Sequence, residues 1–138
     1  FWVLPDSPWR NLADLVAAAR AAPGTIGYGS TGVGSDDHLA TLAFERLAGI
    51  RLLHVPFNGS SQVKNAVLGR TIQIAAMNMG EGVNDFLQNV LRPLGQMAEA
   101  RWANTPEVPT FREQGFDVVE GSMRGLAAPA GVAPAVLA

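Results

Sequence analysis

One stretch carries the strongest pattern in the chain: Gly27-Tyr28-Gly29-Ser30-Thr31-Gly32-Val33-Gly34-Ser35-Asp36-Asp37-His38-Leu39. The residues from Thr25 to Tyr28 are mostly β-branched or aromatic, which favours a short strand. Beyond the glycines, apolar residues recur at three- and four-residue spacing, as on one face of a helix: Leu39, Leu42, Ala43 and Leu47. The pattern therefore predicts a strand over 25–29, a glycine loop and a helix over 35–48.

A glycine loop in front of a helix is suited to binding an anion. Glycines let backbone N–H groups approach a ligand without an intervening Cβ. The helix start adds unpaired N–H donors and a partial positive charge. A tight βα connection without any ligand explains the same glycines, because short loops are usual in α/β folds.

Composition and charge narrow the class of protein. The chain has 138 residues, of which 48% are hydrophobic and 16% charged, so we expect one folded domain with a sizeable core. The net charge is −2 and Lys64 is the single lysine, which leaves no basic stripe for nucleic acid. There is no cysteine, hence no disulfide or thiolate metal site. We expect no signal peptide within these residues. Both termini are apolar, so we expect a piece of a longer chain.

Strand and helix patterns alternate along the rest of the chain. Pro93 indicates that its strand lies at an edge or pairs irregularly. Strands are predicted over 1–4, 51–55, 71–77, 91–97, 116–119 and 123–127, and helices over 12–22, from Ser60 or Ser61 to 68, over 80–89, at 109–114 and over 133–138. This alternation predicts an α/β fold with an open, mostly parallel sheet of about five strands and helices on both faces.

Three polar segments follow predicted strands. They are Ser30–Ser35, Phe57–Ser60 and Asn78–Glu81. Ligands of open α/β sheets bind beyond the carboxyl ends of the strands, so we expect these segments to meet there. Two serine-rich helix starts at one edge predict a polar pocket built from backbone donors and hydroxyls.

The glycine loop can also be compared with three other known motifs. Gly27-x-Gly29-x-x-Gly32 formally fits the dinucleotide fingerprint, so a nucleotide- or dinucleotide-binding enzyme domain stays as the alternative. That fingerprint requires an acidic residue about 20 positions on, where this chain has His54-Val55-Pro56-Phe57. The chain has no glycine-lysine-serine/threonine triplet, which excludes the phosphate-binding P-loop. A nucleophile elbow needs a glycine two residues before its serine, and Ser30 has Tyr28 at that position.

The chain has two histidines, and neither has the setting of a catalyst. His38, one turn into its helix, faces back to the loop and is interpreted as a capping or ligand-orienting donor. His54 is interpreted as a core histidine. Asp36 and Asp37 point in different directions on the helix, so they are expected to favour its N-terminus rather than bind a metal.

With these motifs in place, the chain resembles the tripartite tricarboxylate transporter receptor family, also called the Bug family of periplasmic solute-binding proteins. The similarity runs almost end to end. It is carried by Pro5-Asp6-Ser7-Pro8 with Leu12-Ala13-Asp14-Leu15, Tyr28–Ser35 with His38-Leu39-Ala40, His54–Gly59, Pro106–Phe111, Glu113–Asp117 and Gly121–Gly131.

The resemblance implies a fold, a role and a site. The family has two α/β lobes around a ligand, so residues 1–138 resemble the second lobe, of type II periplasmic-binding-protein kind, with 1–4 and 125–129 as the crossover strands. The implied partners are a small carboxylate, the missing first lobe and membrane transporter subunits, in the periplasm, with no cofactor and no catalysis. The implied substrate-binding residues are Ser30, Thr31, Gly32, Val33, Gly34, Ser35, His38, Phe57, Asn58, Gly59, Ser60 and Asn78.

Two departures from the family pattern bear on the ligand. Asp36-Asp37 stands where the family usually has small or polar residues, and Asn58 replaces a usual lysine. Both changes make the mouth of the pocket more negative. Either the ligand carboxylate sits only on the Ser30–Gly34 amides, or this member prefers an amine-bearing or uncharged group.

Overall fold

The computed structural model describes residues 1–123, 125 and 127–133. The described part forms five strands, four α-helices and one short 3-10 helix. The strands are β1 (Trp2–Val3), β2 (Gly27–Ser30), β3 (Leu53–Pro56), β4 (Ile74–Ala75) and β5 (Arg92–Pro93); the α-helices are α1 (Leu12–Ala21), α2 (Asp36–Ala48), α3 (Ser60–Leu68) and α4 (Met79–Leu87), and the 3-10 helix is Arg112–Gln114.

The five strands form one sheet in the order β3-β2-β4-β1-β5. Strand β2 pairs in parallel with both β3 and β4, whereas β1 is antiparallel to β4 and to β5. Four strands therefore point in one direction and β1 alone runs against them. The predicted α/β fold with about five strands is confirmed, and so is the edge position of the strand that contains Pro93.

Two hydrophobic clusters cover the two faces of the sheet. Alternation along β1 sends Val3 to one cluster and Trp2 to the other. Helices α1 and α2 supply the first cluster, in which Phe1, Phe44 and Phe111 meet edge to face with ring centroids 5.1 to 5.4 Å apart. Helices α3 and α4 supply the second. Among the described residues, no helix is both long and apolar enough to cross a membrane.

The strands are shorter than predicted, and some predicted strands are absent. The strand predicted over 71–77 is reduced to Ile74–Ala75. The strand predicted over 116–119 is wrong, because Phe116 and Val118 pack against the core without joining a ladder. Of the strand predicted over 123–127, the described residues lie in no strand, and Arg124 and Leu126 lie outside the described residues.

The C-terminal predictions are mostly untested. Nearly all of the helix predicted over 133–138 lies outside the described residues. The described residues of 125–129 lie in no strand, and Leu126 is not among them, so their role as a crossover beside β1 stays a prediction.

Helices α2 and α3 begin differently. Ser35 caps α2, since its hydroxyl accepts a hydrogen bond from the His38 N–H at 3.2 Å, and Gly49 ends that helix in the left-handed conformation. The predicted serine cap of α3 is wrong. Gly59 occupies the cap position without any side-chain hydrogen bond, because both serines already lie inside the helix.

Candidate functional site

The three predicted polar segments meet at the carboxyl edge of the parallel strands. The Phe57 N–H donates to the Ser30 carbonyl oxygen at 2.9 Å, which joins the turn after β3 to the end of β2. The Asn78 side-chain amide donates to Asp36 Oδ2 at 3.0 Å, which joins the end of β4 to the start of α2. The edge is therefore one continuous polar surface.

Two cavities open on this surface. The larger, of about 700 Å³, lies between the start of α2, the end of β4 and the loop 95–103. The smaller, of about 680 Å³, lies between α2 and the start of α3. Five residues line both cavities: Asp36, Asp37, Asn78, Gly121 and Ser122.

The N–H donors of the glycine loop are largely engaged within the chain. The Gly32 N–H donates to Ser30 Oγ at 3.3 Å, and the Gly34 N–H donates to His38 Nδ1 at 3.0 Å. The Ser35 N–H donates to the Gly32 carbonyl at 3.3 Å. Gly32 and Gly34 have φ angles of 137° and 81°, a region that residues with a Cβ rarely adopt. The glycines thus serve a loop closed by its own hydrogen bonds.

Asp37 engages the Thr31 hydroxyl at the start of this loop. Its side chain is buried, with the residue 8% exposed, and its Oδ2 accepts from the Thr31 hydroxyl at 2.8 Å. The Thr31 backbone N–H also favours the charged form of this carboxylate. Burial raises the pKa of Asp37, and the nearby Asp36 and Glu81 raise it further, while the Thr31 hydroxyl opposes them.

Asp36 sits at the cavity rim in a hydrogen-bonded setting. Partial burial works to raise the pKa of Asp36, but hydrogen bonds from Asn78 and the Asp37 N–H outweigh it and leave the pKa below its usual value. The Ser122 hydroxyl donates to Asn78 Oδ1 at 3.1 Å, which extends the network to residue 122. Asp36 is therefore charged at neutral pH.

The two histidines form a stack behind the loop. The rings of His38 and His54 lie 4.0 Å apart at 8°, and His54 also stacks on Tyr28 at 4.9 Å. His54 Nε2 is 2.7 Å from Ser30 Oγ. Burial lowers the pKa of His54, and the neighbouring His38 lowers it further. His38 contacts the loop as predicted, but its Nδ1 accepts a hydrogen bond from the Gly34 N–H instead of donating one.

The start of α3 contrasts with that of α2. Asn58 N–H donates to Gln62 Oε1 at 3.0 Å. Within the described part of the chain, the N–H groups of Ser60 and Ser61 have no acceptor. Gly59 and Ser60 line the smaller cavity, so this helix start offers free donors to a ligand.

Comparison with known proteins identifies the family. The family model described as tripartite tricarboxylate transporter family receptor (TctC) matches residues 1–138. The chain belongs to the tripartite tricarboxylate transporter receptor family. It is 36% identical, over 96% of its length, to a UPF0065 protein of Pseudomonas sp. strain P51 from the tcbD-tcbE intergenic region. It covers 40% of that relative, so the chain spans well under half of the curated proteins that it matches.

Solved structures of similar proteins share the fold. A ligand-free TctC solute-binding protein from Polaromonas superposes with a TM-score of 0.84 and 31% identity, over 99% of this chain and 46% of that one. R. palustris Rpa4515, solved with adipate, superposes with a TM-score of 0.81 and 27% identity, over 87% of this chain and 40% of that one. The predicted family and the α/β receptor fold are thus confirmed.

The predicted site residues of this receptor chain divide into two groups. Thr31, Gly59, Ser60 and Asn78 line a cavity. The others line neither cavity. They lie at the end of β2, in the glycine loop, in the first turn of α2 or in the turn before α3: Ser30, Gly32, Val33, Gly34, Ser35, His38, Phe57 and Asn58. Sequence reasoning missed the wall formed by Met97 and Trp102, because no motif in 95–103 signals a ligand.

Packing accounts for Gly29, one of the glycines that suggested a dinucleotide. A Cβ on Gly29 would lie 2.6 Å from Ile72 Cδ1 and 2.8 Å from Val63 Cγ1. This glycine is needed so that α3 and the segment before β4 can pack against β2. The end of β3 offers Pro56 in place of a ribose-binding carboxylate. Among the described residues, no group of three His, Asp or Glu side chains could hold a metal ion.

Proposed function

We propose that this chain is the second lobe of a two-lobed periplasmic receptor that captures a small carboxylate for a tripartite transporter. The observation that carries the proposal is the double cavity at the carboxyl edge of the sheet, in a chain that matches the receptor family over its whole length. The chain spans about 40% of its curated relatives, which leaves room for a first lobe. Binding and delivery, without catalysis or a cofactor, is the corresponding role.

The direction of β1 supports the assignment as a lobe. Consecutive strands joined by a helix within one sheet are normally parallel, with a right-handed crossover. β1 instead lies antiparallel between β4 and β5. A strand that arrives from another lobe is free to take this position. We expect residues 125–129 to return toward that lobe as the second crossover.

We assign the carboxylate contact to the start of α3. Its first N–H groups have no acceptor among the described residues, and the Ser60 hydroxyl stands beside them. The partial positive charge of the helix start adds to these donors. The glycine loop before α2 is less suitable, because the Gly32 and Gly34 N–H groups already serve Ser30 and His38, and the Thr31 hydroxyl serves Asp37.

The larger cavity suits an aliphatic ligand body. Apolar side chains dominate its floor and far wall, among them Met77, Met97 and Trp102. R. palustris Rpa4515, which has this fold, was solved with adipate, a carboxylate with an aliphatic chain. We therefore expect ligands that combine a terminal carboxylate with a short apolar stem.

A thermal-shift screen of the intact receptor tests the ligand class. The screen contains monocarboxylates, dicarboxylates, tricarboxylates, amino acids and nucleotides. A ligand at a hundredfold excess over its dissociation constant stabilises the native state by about 2.7 kcal/mol, which raises the melting temperature by several degrees. We expect a response to a carboxylate. A response to nucleotides alone would establish the alternative enzyme domain instead.

A pair of serine substitutions tests the assigned contact. Ser60→Asp places a carboxylate at the cavity and at a helix start, where it stabilises the helix by about 0.3–1 kcal/mol yet repels a ligand carboxylate. Ser61→Asp adds the same charge one residue on, at an exposed position outside the cavity lining. We expect Ser60→Asp to weaken carboxylate binding at least about tenfold and Ser61→Asp to change it much less. Equal losses in the two variants would contradict the assignment.

A further inference from the structure

We propose that Asp37 determines ligand specificity, so that this lobe accepts a donor-bearing ligand end, an ammonium or a carboxamide, in place of a second carboxylate. The inference rests on the proposed receptor function and refines it. The ligand is then a small molecule with a carboxylate at one end and a hydrogen-bond donor at the other.

The first step is the occupancy of the loop donors. Asp37 Oδ2 accepts a hydrogen bond from the Thr31 hydroxyl at 2.8 Å, and the Thr31 backbone N–H also favours the charged form of this carboxylate. A side-chain carboxylate therefore occupies the place where a ligand carboxylate would otherwise accept these bonds. Because Asp37 is held inside the chain at no entropic cost of association, a free ligand carboxylate competes with it poorly.

The second step is the local charge. The described residues that line the two cavities include four acidic side chains: Asp36, Asp37, Glu81 and Glu120. The basic side chain in the same described lining is Arg101, whose guanidinium is engaged by Glu113 and by the Pro106 carbonyl. A ligand anion near α2 would meet net negative charge, whereas an ammonium or amide donor would meet acceptors.

The third step is the position of the acceptors relative to the free donors. Asp36 and Asp37 line the same smaller cavity as Gly59 and Ser60 at the start of α3. One side of the cavity therefore offers donors to a carboxylate, and the opposite side offers carboxylate oxygens to a donor. Asp36 and Asp37 also line the larger cavity, so longer ligands can reach them from there.

Matched ligand pairs in the intact receptor test the inference by calorimetry. The pairs are succinate with γ-aminobutyrate, glutarate with δ-aminovalerate, and adipate with ε-aminocaproate, together with the monoamide of adipic acid. Within a pair only the end group differs. We expect at least one amino acid to bind the wild type about tenfold or more tightly than its dicarboxylate partner, and the monoamide to bind more tightly than adipate.

Substitutions assign the preference to Asp37. Asp37→Ser frees the Thr31 donors and removes the charge, so we expect the dicarboxylate to bind at least about tenfold more tightly and the preference to invert. Asp36→Ser removes an equal charge in the same turn but leaves the Thr31 donors occupied, so the dicarboxylate should gain less. Asp37→Asn keeps the shape and an oxygen for Thr31; it should lose the ammonium preference without the full gain in dicarboxylate affinity.

The outcomes separate this inference from the proposed function. Tighter wild-type binding of the dicarboxylates, unchanged by Asp37→Ser, would overturn the inference and leave a carboxylate receptor intact. Equal effects of Asp36→Ser and Asp37→Ser would show that Asp37 acts only as one of several negative charges, and this result would also overturn the inference. If the wild type binds no compound of any pair while nucleotides do bind, the proposed function fails, and the inference fails with it.

Discussion

Asp37 experiences two opposing effects on its charge. It lies in the first turn of α2, where the helix N-terminus favours a carboxylate. It is also buried beside Asp36 and Glu81, which disfavour the charged form and raise its pKa. Since the pKa is raised, the folded chain binds the Asp37 proton more tightly than the unfolded chain does.

Substitution of Asp37 by asparagine tests this balance. A raised folded-state pKa means that the wild type gains stability as the pH falls through that raised pKa toward the ordinary value of 3.8. Asp37→Asn cannot gain in this way, and its amide oxygen still accepts from Thr31. We expect the variant to be more stable than the wild type at pH 7, by about 1 kcal/mol or less, and the difference to shrink or reverse near pH 4.

Urea denaturation at the two pH values measures this difference directly. Comparing the variant with the wild type at each pH cancels the titration of all other groups. A variant that is less stable at pH 7 by the same amount as at pH 4 would show that burial does not govern Asp37.

At the scale of secondary structure, the three helix starts around the cavities differ in what they offer a ligand. The first turn of α2 is closed by Ser35 and carries two carboxylates. The first turn of α4 is closed by Glu81, whose carboxylate accepts from the Asn78 N–H at 3.0 Å. The start of α3 has no side-chain cap. The start of α3 is therefore the one of these three that has neither a side-chain cap nor a carboxylate in its first turn.

Helix α4 packs on the sheet through a glycine. A Cβ on Gly82 would lie 2.6 Å from two atoms of the Trp2 indole, which is fully buried in β1. Gly80, two residues earlier in the same helix, has open space around its Cβ position. We expect Gly82→Ala to destabilise the chain by about 1–3 kcal/mol through overpacking. Gly80→Ala should instead stabilise it by about 0.5–1 kcal/mol, because alanine favours the helix.

Thermal or urea denaturation of the two glycine variants distinguishes packing from propensity. The two substitutions add the same methyl group to the same helix, so only the surroundings differ. Stabilisation by both variants would mean that α4 can move away from Trp2 without loss, and that this contact does not position the helix.

Sequence patterns predicted the helices better than the strands, for a physical reason. Apolar spacing in residues 36–48 and 60–68 reflects burial of one helix face, and both helices form. Ile72 and Met77 are equally apolar and buried, yet they lie outside β4. Hydrophobicity encodes burial and not backbone pairing, so strand lengths could not be predicted from it.

The meeting of the three polar segments was predictable, but their contacts were not. The rule that ligands bind beyond strand carboxyl ends placed the Ser30 loop, the Asn58 turn and Asn78 together, and hydrogen bonds join these segments. The bond between Thr31 and Asp37 depends on side-chain rotamers that follow from the tertiary packing. Spacing along the sequence therefore suggested free amides where the folded loop has engaged ones.

At the scale of the whole molecule, distant segments complete the wall of the larger cavity. Gln96 bridges to Thr110, and the Glu120 N–H donates to the Met97 carbonyl at 3.0 Å. These contacts bring 95–103 and 120–122 to the cavity, although neither segment carries a ligand-binding motif. Such long-range placement depends on the order of the strands, in which β1 separates β4 from β5.

The proposed two-lobed arrangement predicts that these 138 residues bind ligand weakly on their own. A receptor that encloses its ligand by hinge closure draws contacts from both lobes, and each 1.4 kcal/mol of lost contact weakens binding about tenfold. In this proposal, the donors at α3 and the acceptors at α2 are the contacts that this lobe alone provides. We expect the isolated chain to bind the best compound of the screen with a dissociation constant of roughly millimolar or weaker, against much tighter binding by the intact receptor. Calorimetry on both proteins, under identical conditions, measures this difference. Micromolar binding by the isolated chain would show that its two cavities are a complete site, and that no second lobe is needed to hold the ligand.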